Sequence, residues 1–240
     1  MNYYDYINKI GFRFYKPQTN PKWFYRLSRL LRNFNVLLEV ANTKIPVNEK
    51  AIKFRIGPLC DIPKMSTFAI GAMINFGVSN MPNGTCFVNV GVWNGFTFLA
   101  GMVGNAQKKC IGVDNFSQFN APRDQFLKRF EKYKGSNHYF YDMDYIYYFS
   151  NIHTGLIGFY FYDGEHSYES QLKGLQIAEP FFSKDCIILV DDANWNEPRE
   201  ASLDFISSST NNYDTLLDRT TFDNKHPTLW NGVMIFRKRG

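Results

Sequence analysis

From Thr85 onward, short strand-like apolar runs alternate with helix-like ones, and this rhythm constrains the chain more than any other feature. The strand-like runs are Thr85–Val90, Lys109–Asp114, Asn137–Tyr141, Leu156–Asp163 and Asp185–Asp191. Between them lie helix-like runs at Gly95–Gly104, Pro122–Lys134, Tyr145–Asn151 and Tyr168–Phe181. Strands separated by helices can pair only in parallel, through crossover connections, so the pattern predicts βαβ units on one sheet. A further helix near Glu197–Ser207 and two more strands, Tyr213–Arg219 and Gly232–Arg237, complete seven strands. The last two follow one another without a long helix and are expected to form an antiparallel hairpin at the sheet edge.

The region before this alternation reads differently. Residues 1–63 are expected to form a basic helical extension or cap, and 64–240 the α/β domain. Trp23, Phe24, Leu27, Leu30, Leu31 and Phe34 recur at helical spacing within Pro21–Val40, with Arg26, Arg29 and Arg32 on the other side. Such a stripe must bury against the domain or form a homodimer contact. Residues 41–63, with three prolines, read as a connector, and a second apolar helix spans roughly Met65 to Val78 before the turn Met81-Pro82-Asn83-Gly84. Through residue 58, eleven lysines and arginines face three acids, which accounts for the net charge of +5 and leaves the remainder slightly acidic. A solvated helix face explains this more simply than a nucleic-acid partner. No run approaches the ~18 apolar residues of a membrane span, and the start lacks the pattern of a secretory signal. The four cysteines have no paired spacing, and three fall in predicted buried strands, which fits a reducing, cytoplasmic setting.

A ligand signature sits where the first strand ends. Phe87-Val88-Asn89-Val90-Gly91 runs into Val92-Trp93-Asn94-Gly95-Phe96-Thr97, which opens a helix. Glycine at 91 permits a tight turn, and glycine at 95 permits close approach of backbone to a ligand. The next strand ends at Asp114, about 20 residues on, where nucleotide-binding folds place an acid on ribose hydroxyls. The Gly-x-Gly-x-x-Gly spacing of nicotinamide folds is absent. The order Asn89-x-Gly91-x-x-x-Gly95-x-Thr97, strand, Asp114 resembles class I S-adenosylmethionine-dependent methyltransferases. Asp163-Gly164-Glu165-His166-Ser167-Tyr168 is similar to the Asp-Gly-x-His-x-Tyr element of a bacterial metal-dependent branch that methylates sugar and macrolide hydroxyls. Asp185–Asp192 matches that branch's fifth strand and its acidic end. The resemblance covers roughly residues 68–195 and implies a Rossmann-like, doubly wound sheet. It implies S-adenosylmethionine bound by Asn89, Gly91, Asn94, Gly95, Asp114 and Asp142, the last toward the adenine. Asn89 departs from the family, which carries Glu or Asp there.

In a parallel sheet, functional groups gather at the carboxyl ends of the strands. Asp163, Asp191 and Asp192 should therefore converge, and crowded carboxylates need a proton, a base or a cation. The resemblance implies Mg²⁺ or another divalent ion on these three acids, holding the acceptor hydroxyl. His166 is the candidate general base. Helix capping competes for Asp163, Asp192 and Asp142, and a structural role competes for His166. The run His226–Gly232 either borders the acceptor pocket or packs as a turn. The resulting expectation is an O-methyltransferase acting on a small molecule or glycan, with no membrane span. The alternatives are a nicotinamide-dependent oxidoreductase or a non-catalytic binding protein with a relic cofactor site.

Overall fold

A computed structural model describes residues 1–20, 38–118, 120 and 122–240. The expected amphipathic helix Pro21–Val40 therefore lies mostly outside the described residues, and residues 38–42 are helical. The chain begins with α1 (Tyr3–Lys9) and a two-residue strand β1 (Gly11–Phe12), which pairs antiparallel with β2 (Thr43–Lys44). Then come α2 (Ala51–Ile56), α3 (Phe68–Asn80), β3 (Thr85–Val90), α4 (Phe96–Met102), β4 (Lys109–Asp114), α5 (Arg123–Tyr133) and β5 (His138–Asp142). The second half holds α6 (Tyr145–Asn151), β6 (Leu156–Tyr162), α7 (Tyr168–Ala178), β7 (Phe182–Asp191), α8 (Asn196–Ser208), β8 (Tyr213–Arg219) and β9 (Val233–Lys238).

Strands β3 to β9 form one seven-stranded sheet in the order β5-β4-β3-β6-β7-β9-β8. The predicted doubly wound fold is thus present. β3 pairs in parallel with both β4 and β6, so it sits at the point where the winding reverses. Ligands in such sheets bind outside the strand ends at that reversal. β3, β6 and β7 are almost wholly buried, as strands covered on both faces must be. Alternate residues feed two cores. Phe87, Phe159, Phe161 and Leu189 face one way, and Val88, Tyr160, Tyr162 and Ile188 face the other. β9 runs antiparallel to both β7 and β8. The antiparallel terminal pair is as expected, but only β8 is at the edge. β9 slots inside, because residues 220–232 are long enough to carry the chain around.

Two departures come from the first 63 residues. Helix α1 is not singled out by the sequence pattern, since Ile7 is its one aliphatic residue and the rest of its buried face is tyrosine. The Tyr6 ring stacks on Phe76 at 3.9 Å between centroids, and Tyr3 meets Phe159 edge-on at 5.8 Å, so α1 joins the main core. The connector is also structured: Ile52, Ile56, Leu59 and Cys60 are buried there. Helix α3 starts at Phe68 rather than Met65 because the Thr67 hydroxyl caps it, accepting from Ile70 N. All four cysteines are free and buried, and burial pushes the Cys60 and Cys86 thiols up to about 12. Among the described residues, no helix is long and apolar enough to cross a membrane.

Candidate functional site

The turn after β3 is built by Gly91. Its φ is 78°, and a Cβ there would stand 1.9 Å from the Asp163 carbonyl oxygen. Asp163 N donates to Val90 O at 2.9 Å, so the ends of β3 and β6 are stitched together only because position 91 has no side chain. Gly91→Ala is expected to lower stability by roughly 3 kcal/mol, a fall in Tm of about 6–12 °C, from left-handed backbone strain plus the clash. A thermal melt within about 1 °C of the parent would show that the two strand ends do not meet this closely. Gly95 has another task. At φ 97° it precedes α4, and a Cβ would lie 2.8 Å from the Phe126 ring. It makes room for packing and does not line the cavity.

Asp114, at the end of β4, organises the loops on both sides. Its Oδ2 accepts from Val92 N and Trp93 N, each at 2.8 Å, and its Oδ1 accepts from Phe116 N at 2.7 Å. A carboxylate offers about four acceptor positions, so the group still has capacity for a ligand hydroxyl. Asn89 lies beneath the turn, fully buried. Its amide nitrogen donates to Gly91 O at 2.9 Å and Val90 O at 3.2 Å. A carboxylate could not make those two donations, which gives asparagine a local reason to be there. Asn89 Oδ1 is buried without a partner. Asn94 is also buried, its Oδ1 accepting from Arg129 at 2.9 Å. Asp142 faces Arg123, whose Nε donates to it at 2.5 Å, while its neighbour Met143 lines the cavity. Asp144, not Asp142, caps the following helix.

The cavity, about 230 Å³, opens over these strand ends. It brings Gly91 and Asp114 together with Asp163, His166, Asp191 and Asp192. One ligand atom from each of Asp163, His166 and Asp191 lies within 4.8 Å of the others. Asp192 is held by Asn231, whose amide donates to Oδ1 at 2.7 Å, and its Oδ2 stands 3.4 Å from His166 Nε2. That nitrogen is 3.7 Å from Asp163 Oδ1. Burial, then the neighbouring carboxylates, holds the carboxyls of Asp163 and Asp191 well above the usual range. Burial also raises Asp192, opposed by His166 and the Asn231 hydrogen bond. For His166, burial lowers the imidazole pKa against the pull of the acids. Asp191 Oδ1 and His166 Nδ1 are buried without partners. Neither Asp163 nor Asp192 caps a helix: Ser167 caps α7, and no side-chain cap starts α8.

Sequence reading misses most of the wall. Trp93, Phe116, Trp195, Lys225 and Trp230 line the cavity. Four of them, with Asp192, have φ between 44° and 59°, and among the described residues only Asn120 and Asp185 are further non-glycine residues with positive φ. Bulky residues held in left-handed backbone cluster where a fold is shaping a site, at a cost of about 1–3 kcal/mol each. Position in the chain carries no signal of that kind. The His226–Gly232 run does both things expected of it. His226 is buried, bonded to Thr228 and to Thr19 O, while Trp230 and Asn231 face the cavity. Residues 17–19 brace this loop, with Phe222 N donating to Pro17 O at 2.8 Å.

Comparison with known proteins adds three findings. Residues 88–193 match a family model described as a methyltransferase domain, from within β3 to just past the acidic end of β7. No curated protein sequence matches the chain. Among solved structures, a protein from Corynebacterium glutamicum is similar at 13% identity and a TM-score of 0.59, over 92% of this chain and 98% of that one. A cofactor-bound protein from MTB is similar at 12% identity and a TM-score of 0.60, over 92% and 99%. An O-methyltransferase from Bacillus cereus in complex with SAH is similar at 11% identity and a TM-score of 0.51, over 91% and 92%. At such identities the likeness is one of fold.

Proposed function

We propose that this chain, which carries a methyltransferase domain over residues 88–193, transfers a methyl group from S-adenosylmethionine to a hydroxyl of a small molecule or glycan, with a divalent cation assisting. One observation carries the reading: Asp114 beside the Gly91 turn and the acid cluster line the same cavity. Asp114 is the ribose ligand in this reading, and the Gly91 turn passes beside the cofactor. When bound, the cofactor supplies an electrophilic methyl on a sulfonium. Asp163, Asp191 and Asp192 are the candidate carboxylates for the cation; Asp163 and Asp191, with His166, form the group within 4.8 Å of one another, and Asp192 lies beside it. A cation suits them because several buried carboxyls with raised pKa values are short of positive charge. A divalent ion there would lower the hydroxyl pKa and hold it in place.

His166 would take the hydroxyl proton at Nε2. Trp195 meets the imidazole edge-on at 5.7 Å and limits its rotation. Trp93, Phe116 and Trp230 exclude water and offer flat faces to an acceptor. Residues 1–63 act as a cap in this reading, supported by the bracing of the 220–226 loop and by Pro63 in the cavity lining. Calorimetry with S-adenosylhomocysteine and with NAD tests the cofactor. Binding of the first and not the second is expected, and the reverse would return the chain to the oxidoreductase reading. EDTA should abolish turnover, with Mg²⁺ restoring it. Full turnover in EDTA would remove the metal and leave His166 as the only group handling the proton.

A further inference from the structure

The three most exposed large apolar side chains among the described residues are Phe54, at 82%, Val47, at 72%, and Phe14, at 64%. Single apolar residues scattered over a surface need no explanation, but these three fall within one short part of the chain. A turn of 3₁₀ helix (Val47–Glu49) continues through Lys50, whose backbone is also helical, into α2 (Ala51–Ile56) and a second 3₁₀ stretch (Gly57–Asp61). Ile52, Ile56, Leu59 and Cys60 fill the inner side of this run and are buried. At helical spacing, Val47, Lys50, Ala51, Phe54 and Pro58 share the opposite side, and all five are exposed. A surface helix ordinarily turns charged or polar residues outward. This one is apolar on both sides, with Lys50 the one charge among the outward five.

Bases stand around that outer side. Lys53 Nζ donates to Thr43 O at 2.7 Å, which holds β2 against α2. β1 pairs with β2, Gly11 opposite Lys44, and Arg13 N donates to Asn42 O at 2.9 Å, so Arg13 and Phe14 lie close to Lys44. Up to Pro63, the exposed charged residues among those described are Lys9, Arg13, Lys16, Lys44, Lys50 and Asp61, so bases dominate. Protruding apolar side chains ringed by lysine and arginine suit the headgroup layer of an anionic bilayer. The apolar groups enter the acyl boundary, and the cations meet lipid phosphates. A nucleic acid would use the bases, but Val47, Ala51 and Pro58 give it nothing to stack on. A second copy of the chain, in a two-fold contact across this face, would set Lys50 against its own twin.

We propose that the outer side of the 47–58 helical run, with Arg13, Phe14 and Lys44 at its edge, docks the protein on an anionic lipid bilayer. The protein lies on the membrane and does not span it. Through Ile62 the run joins Pro63, which lines the cavity, so a docked molecule carries its cavity close to the headgroups. The inference does not depend on the methyl-transfer reading.

Co-sedimentation of the full chain with lipid vesicles tests it. Binding is expected to vesicles of phosphatidylcholine mixed with phosphatidylglycerol and not to phosphatidylcholine alone, with release as salt is raised. Val47→Ser/Phe54→Ser should weaken binding at least about tenfold, because two apolar side chains no longer leave water. Lys44→Glu/Lys50→Glu should weaken it at least about tenfold as well. Tyr147→Ser, an outward change on α6, should leave it unchanged. All these side chains are exposed, so the variants should melt with the parent. The proposal is overturned if the parent does not bind the mixed vesicles, or if either double variant binds them as the parent does. It is also overturned if Tyr147→Ser weakens binding as much as a double variant. Self-association or RNA binding that Val47→Ser/Phe54→Ser abolishes, without vesicle binding, would give this face to a second copy or a nucleic acid instead. The measurement uses neither cofactor nor acceptor, so a chain that fails to bind S-adenosylhomocysteine would lose the methyl-transfer reading and keep this one.

Discussion

His166→Ala is expected to slow methyl transfer by about 10²–10⁴-fold while affinity for S-adenosylhomocysteine changes by less than about threefold. The separation follows from where the ring is. Its Nε2 lies among the acids, 3.4 Å from Asp192 and 3.7 Å from Asp163, whereas Asp114, the proposed ribose ligand, bonds to the backbone of the 92–93 and 116 loops. Removing the imidazole takes away a proton acceptor and one edge-on contact to Trp195, without touching the Gly91 turn. Single-turnover rates with labelled S-adenosylmethionine and an acceptor found by product screening give the measurement. A loss under about tenfold would make His166 structural. An equal loss of cofactor affinity would mean that the ring shapes the pocket rather than handling a proton. The companion variant Asp191→Asn should also leave cofactor affinity nearly intact and reduce turnover, since Asp191 belongs to the acid cluster.

Asp114→Ala should show the opposite division, with binding lost first. A charge-assisted contact to a ribose diol is worth about 2–3 kcal/mol, or roughly 30–150-fold in Kd. The structure adds a second term. Three backbone N–H groups, from Val92, Trp93 and Phe116, converge on this carboxylate, and Trp93 and Phe116 are both in left-handed backbone. Without the carboxylate, nothing else described holds Val92 N and Phe116 N, and both loops should relax. The loss should therefore exceed what a ribose contact alone explains, and hydrogen exchange at 92–93 and 116 should speed up. Asp114→Asn keeps acceptor oxygen but turns an N–H toward another N–H, so it should fall between parent and alanine. Calorimetry with S-adenosylhomocysteine checks the series, and unchanged affinity in Asp114→Ala would refute the cofactor assignment.

Much of this architecture is legible before any coordinates, and the reason is locality. Buried parallel strands read as continuous apolar runs, and Thr85–Val90 and Lys109–Asp114 begin and end where the pattern says; so does the antiparallel edge strand Tyr213–Arg219. Gly91 and Asp114 are legible because a strand end, a turn and the next strand end are one local unit. The acids at 163, 191 and 192 are legible because parallel strands deliver their carboxyl ends to one side. What escapes is what depends on distant chain. Tyr3 and Tyr6 look like polar surface until Phe76 and Phe159 are beside them. The wall residues Trp93, Phe116 and Lys225 take their places from left-handed backbone, which nothing in their side chains announces.

The place of β9 has a consequence for how the protein comes to exist. Because β9 lies between β7 and β8, the sheet cannot be assembled in the order in which the chain is made. While β8 is emerging from a ribosome it has no neighbour to pair with, and β7 presents an open edge until the later strand arrives. The 220–232 connection, bearing Lys225, Trp230 and Asn231, can settle only when β9 docks. Asp192 acquires its Asn231 partner at the same moment. Long-range pairing of this kind is slow and leaves an edge available to other chains while it waits. A nascent molecule would thus hold the Gly91 and Asp114 side of its cavity before it has the wall that carries Lys225, Trp230 and Asn231, and a closed cavity would be the last property it acquires.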